Sequence, residues 1–466
     1  MNMRVRPDSG LRKAVSEMPM RIRRAYKDWE NAPDHIQQRG VRIEVTLGDV
    51  DPLRWLLAQR FQRLAYWSAR DGAECIAGVG SCHECSVGTV SHPEALFAKG
   101  REVLSHFGNS KPKYIGGFSF SEHSVDEAPW PEMGQTRFWI PFAEICKSED
   151  KIVLACNLYF RRNVNVPVNV LIQEWQAIHA QTHMPDALPT LICRRDFPER
   201  EGWDANVRSA LDLIDNGVLD KVVLARKAEY HFASLVSAVQ ILAILEQVTS
   251  HCYHFLIQPS PRAAFMGTTP ERLYRREGRA LKTEALAGTR PRGKDEEEDQ
   301  RLGAELLEST KERHEQELVR RDLMRQLHLL SDTVEAEEQP QLLQLERKQH
   351  LLSLLSAVLR NKVDDAELIK SLHPTPAVGG SPRENALREL TRLEPFSRGW
   401  YAAPVGCFGE DFAEFAVAIR SGMVQDKQVN IYSGAGIVQG SQPEEEWQEI
   451  ENKISDFVKV TGGGIR

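Results

Sequence analysis

Phe255-Leu-Ile-Gln258 and Ala263-Ala-Phe-Met266 are short apolar runs joined by Pro259-Ser-Pro-Arg262, a connection far too short for a helical crossover. Parallel neighbours need a crossover of about a dozen residues or more, so these two runs read as antiparallel strands. The pattern recurs on both sides. Between Tyr66 and Val79 a turn-like Arg70-Asp71-Gly72 separates apolar runs, as in a β-hairpin. Residues 114–120, 137–140, 151–159, 221–225, 413–419 and 428–432 are further strand candidates. Many follow one another through short connections, which favours an α+β fold with a largely antiparallel sheet and helices outside it. Helical stretches are expected at 206–216, closed by Gly217, and at 235–249. A longer one starts in the acidic run 295–299, suited to a helix N-terminus, and reaches Leu330 with room for an interruption. Residues 335–349, rich in Gln, Glu and Leu, read as a helical insertion or exposed linker.

Composition excludes several classes. With 466 residues, 41% of them hydrophobic and 27% charged, the chain can bury a sizeable core. A formal net charge of −7 offers no basic excess for nucleic acid. No apolar run approaches the roughly 18–20 residues of a membrane span. Eight cysteines are too sparse for a disulfide framework, so a cytoplasmic protein is expected. Cys82 and Cys85 form a C-x-x-C, but no second ligand pair follows at zinc spacing. The first 40 residues carry many arginines (Arg4, Arg6, Arg12, Arg21, Arg23, Arg24) and few acids. They suit a mobile basic extension, an amphipathic entry helix or, less readily, an organelle presequence. Residues 41–466 show no internal repeat and no domain break, and read as one unit.

Two nucleotide motifs nearly match and fail. Gly288-Thr-Arg-Pro-Arg-Gly293-Lys294 starts like a phosphate-binding loop, yet Asp295 stands where Ser or Thr would hold magnesium. Gly434-Ala-Gly436 opens like a dinucleotide fingerprint whose third glycine, Gly440, comes one position late. A repeated carboxylate pair is the sharper signal. Glu312 and Glu315 lie at i, i+3 in a helical stretch, and Glu446 and Glu449 repeat the spacing later. Oxygen donors on two facing helices suit Mg²⁺; solvated faces with ordinary ion pairs, such as Glu449 to Lys453, are the commoner reading of spacing alone. Lys221 opens an apolar run, and desolvation lowers a lysine's pKa toward that of a general base, although strand-end lysines more often reach solvent. Glu271 follows the turn Thr268-Thr269-Pro270, and Arg420 ends a strand where it can clamp a carboxylate.

Taken together, these stretches resemble the chorismate-utilising enzymes, which include the isochorismate, salicylate, anthranilate and aminodeoxychorismate synthases. The resemblance is carried by Lys221-Val-Val-Leu-Ala-Arg226, Gly267-Thr-Thr-Pro-Glu-Arg-Leu273 and Thr283-Glu-Ala-Leu-Ala-Gly-Thr-Arg-Pro-Arg-Gly293. It continues through Lys311-Glu-Arg-His-Glu-Gln-Glu-Leu-Val319, Leu372-His-Pro-Thr-Pro-Ala-Val-Gly-Gly380, Glu394-Pro-Phe-Ser-Arg-Gly-Trp-Tyr401, Phe415-Ala-Val-Ala-Ile-Arg420 and Gly434-Ala-Gly-Ile-Val438. These motifs fall in the motif-bearing half, 203–466, and the half 41–202 matches only loosely. The resemblance implies two packed, largely antiparallel β-sheets flanked by helices, with substrate between the layers. It implies Mg²⁺ held by Glu315 and Glu449, with Glu312 and Glu446 as the accompanying acids. Gly288, Thr289, His373, Tyr401, Arg420, Gly436 and Lys453 match positions of the substrate site.

Lys221 matches the general base of the water-using branch, and Glu271 its general acid. Ala287 stands where aminodeoxychorismate synthases commonly carry a nucleophilic lysine. The wording Glu284-Ala-Leu-Ala-Gly288 lies closer to menaquinone-pathway isochorismate synthases than to siderophore salicylate synthases. The activity implied is Mg²⁺-dependent, reversible conversion of chorismate to isochorismate. No glutamine amidotransferase subunit is expected, and a monomer is slightly favoured. The alternatives are a salicylate synthase, which goes on to eliminate pyruvate, and a non-catalytic scaffold.

Overall fold

The computed structural model describes residues 9–86, 93–122, 125–148, 151–164, 166–181, 187–344 and 348–462. The pair that opened the sequence reading is a hairpin of strands Tyr253–Ser260 and Ala263–Thr269, in register Leu256 to Met266. Its side chains alternate between two cores. Tyr253, Phe255, Ile257 and Phe265 enter one cluster, while Leu256, Ala264 and Met266 enter another. Both faces are covered, which explains why the runs are almost continuously apolar rather than alternating with polar residues.

Among the described residues, this hairpin lies at the middle of a 12-stranded sheet. On one side follow Leu64–Ser68, Glu74–Val79, Ala143–Ser148, Lys151–Arg161 and Gln38–Leu47. On the other come Ser421–Gln425, Gln428–Ile437, Lys221–Phe232 and Gly380–Ser381, with Leu191–Phe197 also on Lys221–Phe232. A second, ten-stranded sheet centres on Ala280–Pro291, Arg272–Glu277, Phe412–Val417, Pro404–Phe408 and Tyr114–Phe118. Every pairing in the two sheets is antiparallel. Their facing sides meet in an aromatic core in which Trp67, Tyr253 and Phe265 pack with Tyr114, Phe118, Phe138, Phe408 and Phe415. Strands from before and after residue 202 are neighbours in both sheets: Leu64–Ser68 pairs with Tyr253–Ser260, and Tyr114–Phe118 with Pro404–Phe408.

Helices cover the outer faces. The acidic run does start a helix, Glu296–Glu308, where Asp295 accepts from Glu298 N at 2.9 Å. The expected interruption is Ser309, which ends that helix and caps the next, Thr310–Leu330. Two expectations need correction. The described residues 335–344 and 348–349 hold no helix: strands Ser331–Ala336 and Gln341–Gln344 both pair with Lys348–Leu359, and residues 345–347 lie outside the described set. Burial at Leu351, Ser353, Leu355, Ala357 and Leu359 follows the strand period of two, which outweighs the helix-favouring Gln, Glu and Leu content.

The basic stretch is no separate extension but the amphipathic entry helix that was one of its three readings. Helix Ser9–Glu30 buries Leu11, Ala14, Met18, Ile22, Ala25 and Trp29 in the core beneath the larger sheet. The boundary drawn at residue 40 falls inside strand Gln38–Leu47, while Arg4 and Arg6 lie outside the described residues. No described helix is long and apolar enough to cross a membrane.

Candidate active site

A pocket of about 680 Å³, counted together with the solvent at its mouth, is lined by residues of the central strands and two outer helices. Eight residues singled out from sequence reach its wall: Glu271, Gly288, Thr289, Glu315, Tyr401, Arg420, Glu449 and Lys453. Local structure explains how each arrives. Strand Ala263–Thr269 ends at Pro270, and the next turn is pinned by Glu271 N donating to Thr269 Oγ1 (3.2 Å) and Val417 N to Glu271 O (3.0 Å). Gly288 interrupts the register of Ala280–Pro291 against Lys348–Leu359 with φ of 73°, a left-handed conformation that glycine adopts without a steric penalty. Helix Thr310–Leu330 brings Glu312 and Glu315, and helix Pro443–Val460 brings Glu446, Glu449 and Lys453. Arg420 stands between strands Phe412–Val417 and Ser421–Gln425 at φ 49°, unusual for a residue with a Cβ.

The electrostatics divide the groups. Lys221 does not reach solvent: its side chain is 0% exposed and donates to Glu315 at 2.7 Å. Burial is the main cause that pushes Glu271 from 4.5 up to about 8, helped by the charge of Glu284. At neutral pH this carboxyl keeps its proton. The two acid pairs each hold basic partners: Arg290 with Glu312 at 2.9 Å, Lys311 with Glu446 at 3.0 Å, and Lys453 with Glu449 at 2.6 Å. Burial, then the charge of Glu449, still pushes Glu446 up to about 7, and burial with Glu315 pushes Glu312 up. Burial is the largest influence on Glu449 and opposes its ionisation, but Lys453, Lys311 and a hydrogen bond with Glu446 together hold that carboxyl below its ordinary value.

This donor set fits a hard divalent cation. It offers only oxygens, its acids repel one another, and Glu446 Oε2 is buried without a hydrogen-bond partner. Among the described residues no group of three or more His, Cys, Asp or Glu forms a complete protein cage.

Five of the singled-out residues do not line the cavity. Lys221 stands behind Glu315 through its ion pair, and Glu312 and Glu446 line an adjoining pocket that shares Thr289, Glu449 and Lys453 with the first. Gly436 lies beneath Glu315 and Lys221, where an added Cβ would fall 2.6 Å from Glu315 Oε1; Gly434, two residues earlier, is the glycine on the wall. His373 turns away: its Nε2 donates to Phe120 O at 3.3 Å, and Ala377 and Val378 of the same segment form the wall instead. Sequence reading missed His350, which lines the cavity and touches Gly288, Thr289 and Arg420. It also missed the apolar wall of Val223, Leu286 and Ile419.

Comparison with known proteins agrees with this geometry. A family model described as "Chorismate binding enzyme" matches residues 27–462. The isochorismate synthase MenF of Escherichia coli is 33% identical over 435 residues, spanning 91% of this chain and 96% of that protein. A salicylate biosynthesis isochorismate synthase from Pseudomonas aeruginosa is 39% identical over 385 residues, 80% of each. Among solved structures, MenF, the menaquinone-specific isochorismate synthase from E. coli, superposes with a TM-score of 0.82 at 29% identity, covering 96% of this chain and 100% of that one.

Proposed function

The chain belongs to the chorismate binding enzyme family, and from that premise we propose that it is an isochorismate synthase of the menaquinone type. It is an isomerase that adds water at C2 of chorismate and expels the C4 hydroxyl. One observation carries the reading: Glu271, protonated at neutral pH, lines the same cavity as the carboxylates Glu315 and Glu449.

Glu315 and Glu449 would hold Mg²⁺, with Glu312 and Glu446 behind them. When bound, the ion supplies a positive anchor for the ring carboxylate and stabilises charge that develops as the ring double bonds shift. Lys221 Nζ takes a proton from the water that attacks C2. Glu271 gives its proton to the C4 hydroxyl, which departs as water while the double bonds relocate. Lys221 is left with the proton taken from the attacking water, Glu271 has given its own to the departing water, and exchange with solvent resets both. Arg420 grips a substrate carboxylate, with Gly288, Thr289, Tyr401 and Lys453 shaping the space around it. The apolar wall of Val223, Leu286, Ala287 and Ile419 excludes water from the ring faces that do not react.

Water as nucleophile requires no ammonia-supplying subunit. All eight cysteines are free, which suits a reducing cytoplasm. The test is chromatography of products after incubation with chorismate and Mg²⁺. Isochorismate alone, in a mixture that stops at equilibrium, supports the reading. Salicylate with pyruvate moves the protein to the lyase branch, and unchanged chorismate makes it a scaffold.

A further inference from the structure

His350 stands on the cavity wall and has no part in the chemistry above. It belongs to strand Lys348–Leu359 and is 5% exposed. Its Nε2 lies 3.1 Å from Arg420 Nη2. A guanidinium has only donors, so Nε2 accepts, and the ring proton must sit on Nδ1. Nδ1 in turn lies 3.1 Å from both Gly288 O and Thr289 Oγ1, and donates there. The imidazole therefore bridges two parts of the cavity wall: the glycine turn of one strand and the arginine between two others.

Arg420 needs such a hold. Its backbone is left-handed, fixed by Thr268 N donating to Arg420 O at 3.0 Å, so the side chain leaves the strand at an unusual angle. Among the described residues no carboxylate pairs with it, which leaves its charge for a ligand. Burial, followed by the charge of Arg420 and those of Lys348 and Lys453, opposes protonation of His350 and preserves its acceptor.

We propose that His350 is a positioning residue for the anion clamp: the neutral imidazole fixes the Arg420 guanidinium toward the cavity and so sets affinity for a substrate carboxylate. This rests on the reading that Arg420 grips chorismate. The experiment measures KM and kcat for chorismate at saturating Mg²⁺ in wild type, His350→Asn, His350→Gln, Arg420→Ala and the Asn/Ala double variant. Asn keeps a donor near Gly288 but cannot reach Arg420; the carbonyl of Gln reaches the place of Nε2 and can accept.

His350→Asn is expected to raise KM about tenfold, the scale of one hydrogen bond to a charged group, with kcat changed less than about threefold. His350→Gln recovers most of that loss, and His350→Asn adds little once Arg420 is gone. An unchanged KM in His350→Asn, a Gln variant no better than Asn, or full additivity with Arg420→Ala overturns the role of His350. Arg420→Ala with unchanged KM instead overturns the reading beneath it. The ring tautomer, read from ¹⁵N shifts in the unmodified enzyme, tests the geometry independently of whether the variants fold: a proton on Nε2 overturns it.

Discussion

Glu271→Gln replaces a buried carboxyl by an amide of nearly the same shape that does not titrate. In the unfolded chain the carboxyl loses its proton near pH 4.5; in the folded protein burial holds it to about pH 8. Folding therefore takes up a proton between those values, so this group's contribution to stability is fully present below pH 4.5 and is lost as pH rises through 8. At about 1.4 kcal/mol for each pH unit, the loss reaches about 3 kcal/mol at pH 7 and levels near 5 kcal/mol above pH 8. The glutamine variant carries no such dependence, because it is neutral in both states. Urea unfolding of both proteins at pH 5, 7 and 9 measures the difference, from which every shared titrating group cancels. The variant is expected to gain on wild type by about 3–4 kcal/mol between pH 5 and pH 9 while losing its turnover. A difference that stays flat within about 0.5 kcal/mol across that range means the Glu271 carboxyl is not held protonated.

Lys221→Ala removes the proposed base and is expected to lower kcat by about 10²–10⁴-fold with the circular dichroism spectrum unchanged; near-wild-type turnover excludes the role. Glu315→Gln keeps the shape but halves the charge of the proposed metal pair, and should weaken apparent Mg²⁺ affinity by about tenfold or more in an activity titration. An unchanged titration removes Glu315 from the metal site. Gly436→Ala places a methyl group 2.6 Å from Glu315 Oε1 and 3.0 Å from Lys221 Cε, closer than contact allows. It should raise the Mg²⁺ requirement and lower kcat together, and wild-type kinetics would show that the carboxylate can move aside freely.

How much of this was legible depends on which physical signal each residue carries. The hairpin of Tyr253–Ser260 and Ala263–Thr269 was readable because its connection leaves room for nothing but an antiparallel turn. Glu312, Glu315, Glu446 and Glu449 were readable as pairs because helical spacing puts i and i+3 on one face; that the two helices meet at one cavity is a long-range fact that spacing cannot hold. The N-terminal helix was legible only as one of three readings, although its period was present. Leu11, Ala14, Met18, Ile22, Ala25 and Trp29 recur every three or four residues, but the arginines between them carry the composition of a solvated extension. His350 was missed because it directly follows a stretch whose composition favours a helix, and only the alternation from Leu351 to Leu359 marks the strand that aims it. His373 erred the other way. A motif locates a segment, but which of its side chains faces the cavity depends on packing against Phe120, from the distant N-terminal half.

The carboxylates of this site are never bare. Without metal, each of the four already has an internal cation: Arg290, Lys221, Lys311 and Lys453 serve Glu312, Glu315, Glu446 and Glu449 in turn. A divalent cation held there would therefore compete with these ammonium and guanidinium groups for the same oxygens, as on an ion-exchange resin. The partner of Glu315 is Lys221, the group proposed to activate water, so affinity for the cation and the setting of the base would be linked through one carboxylate.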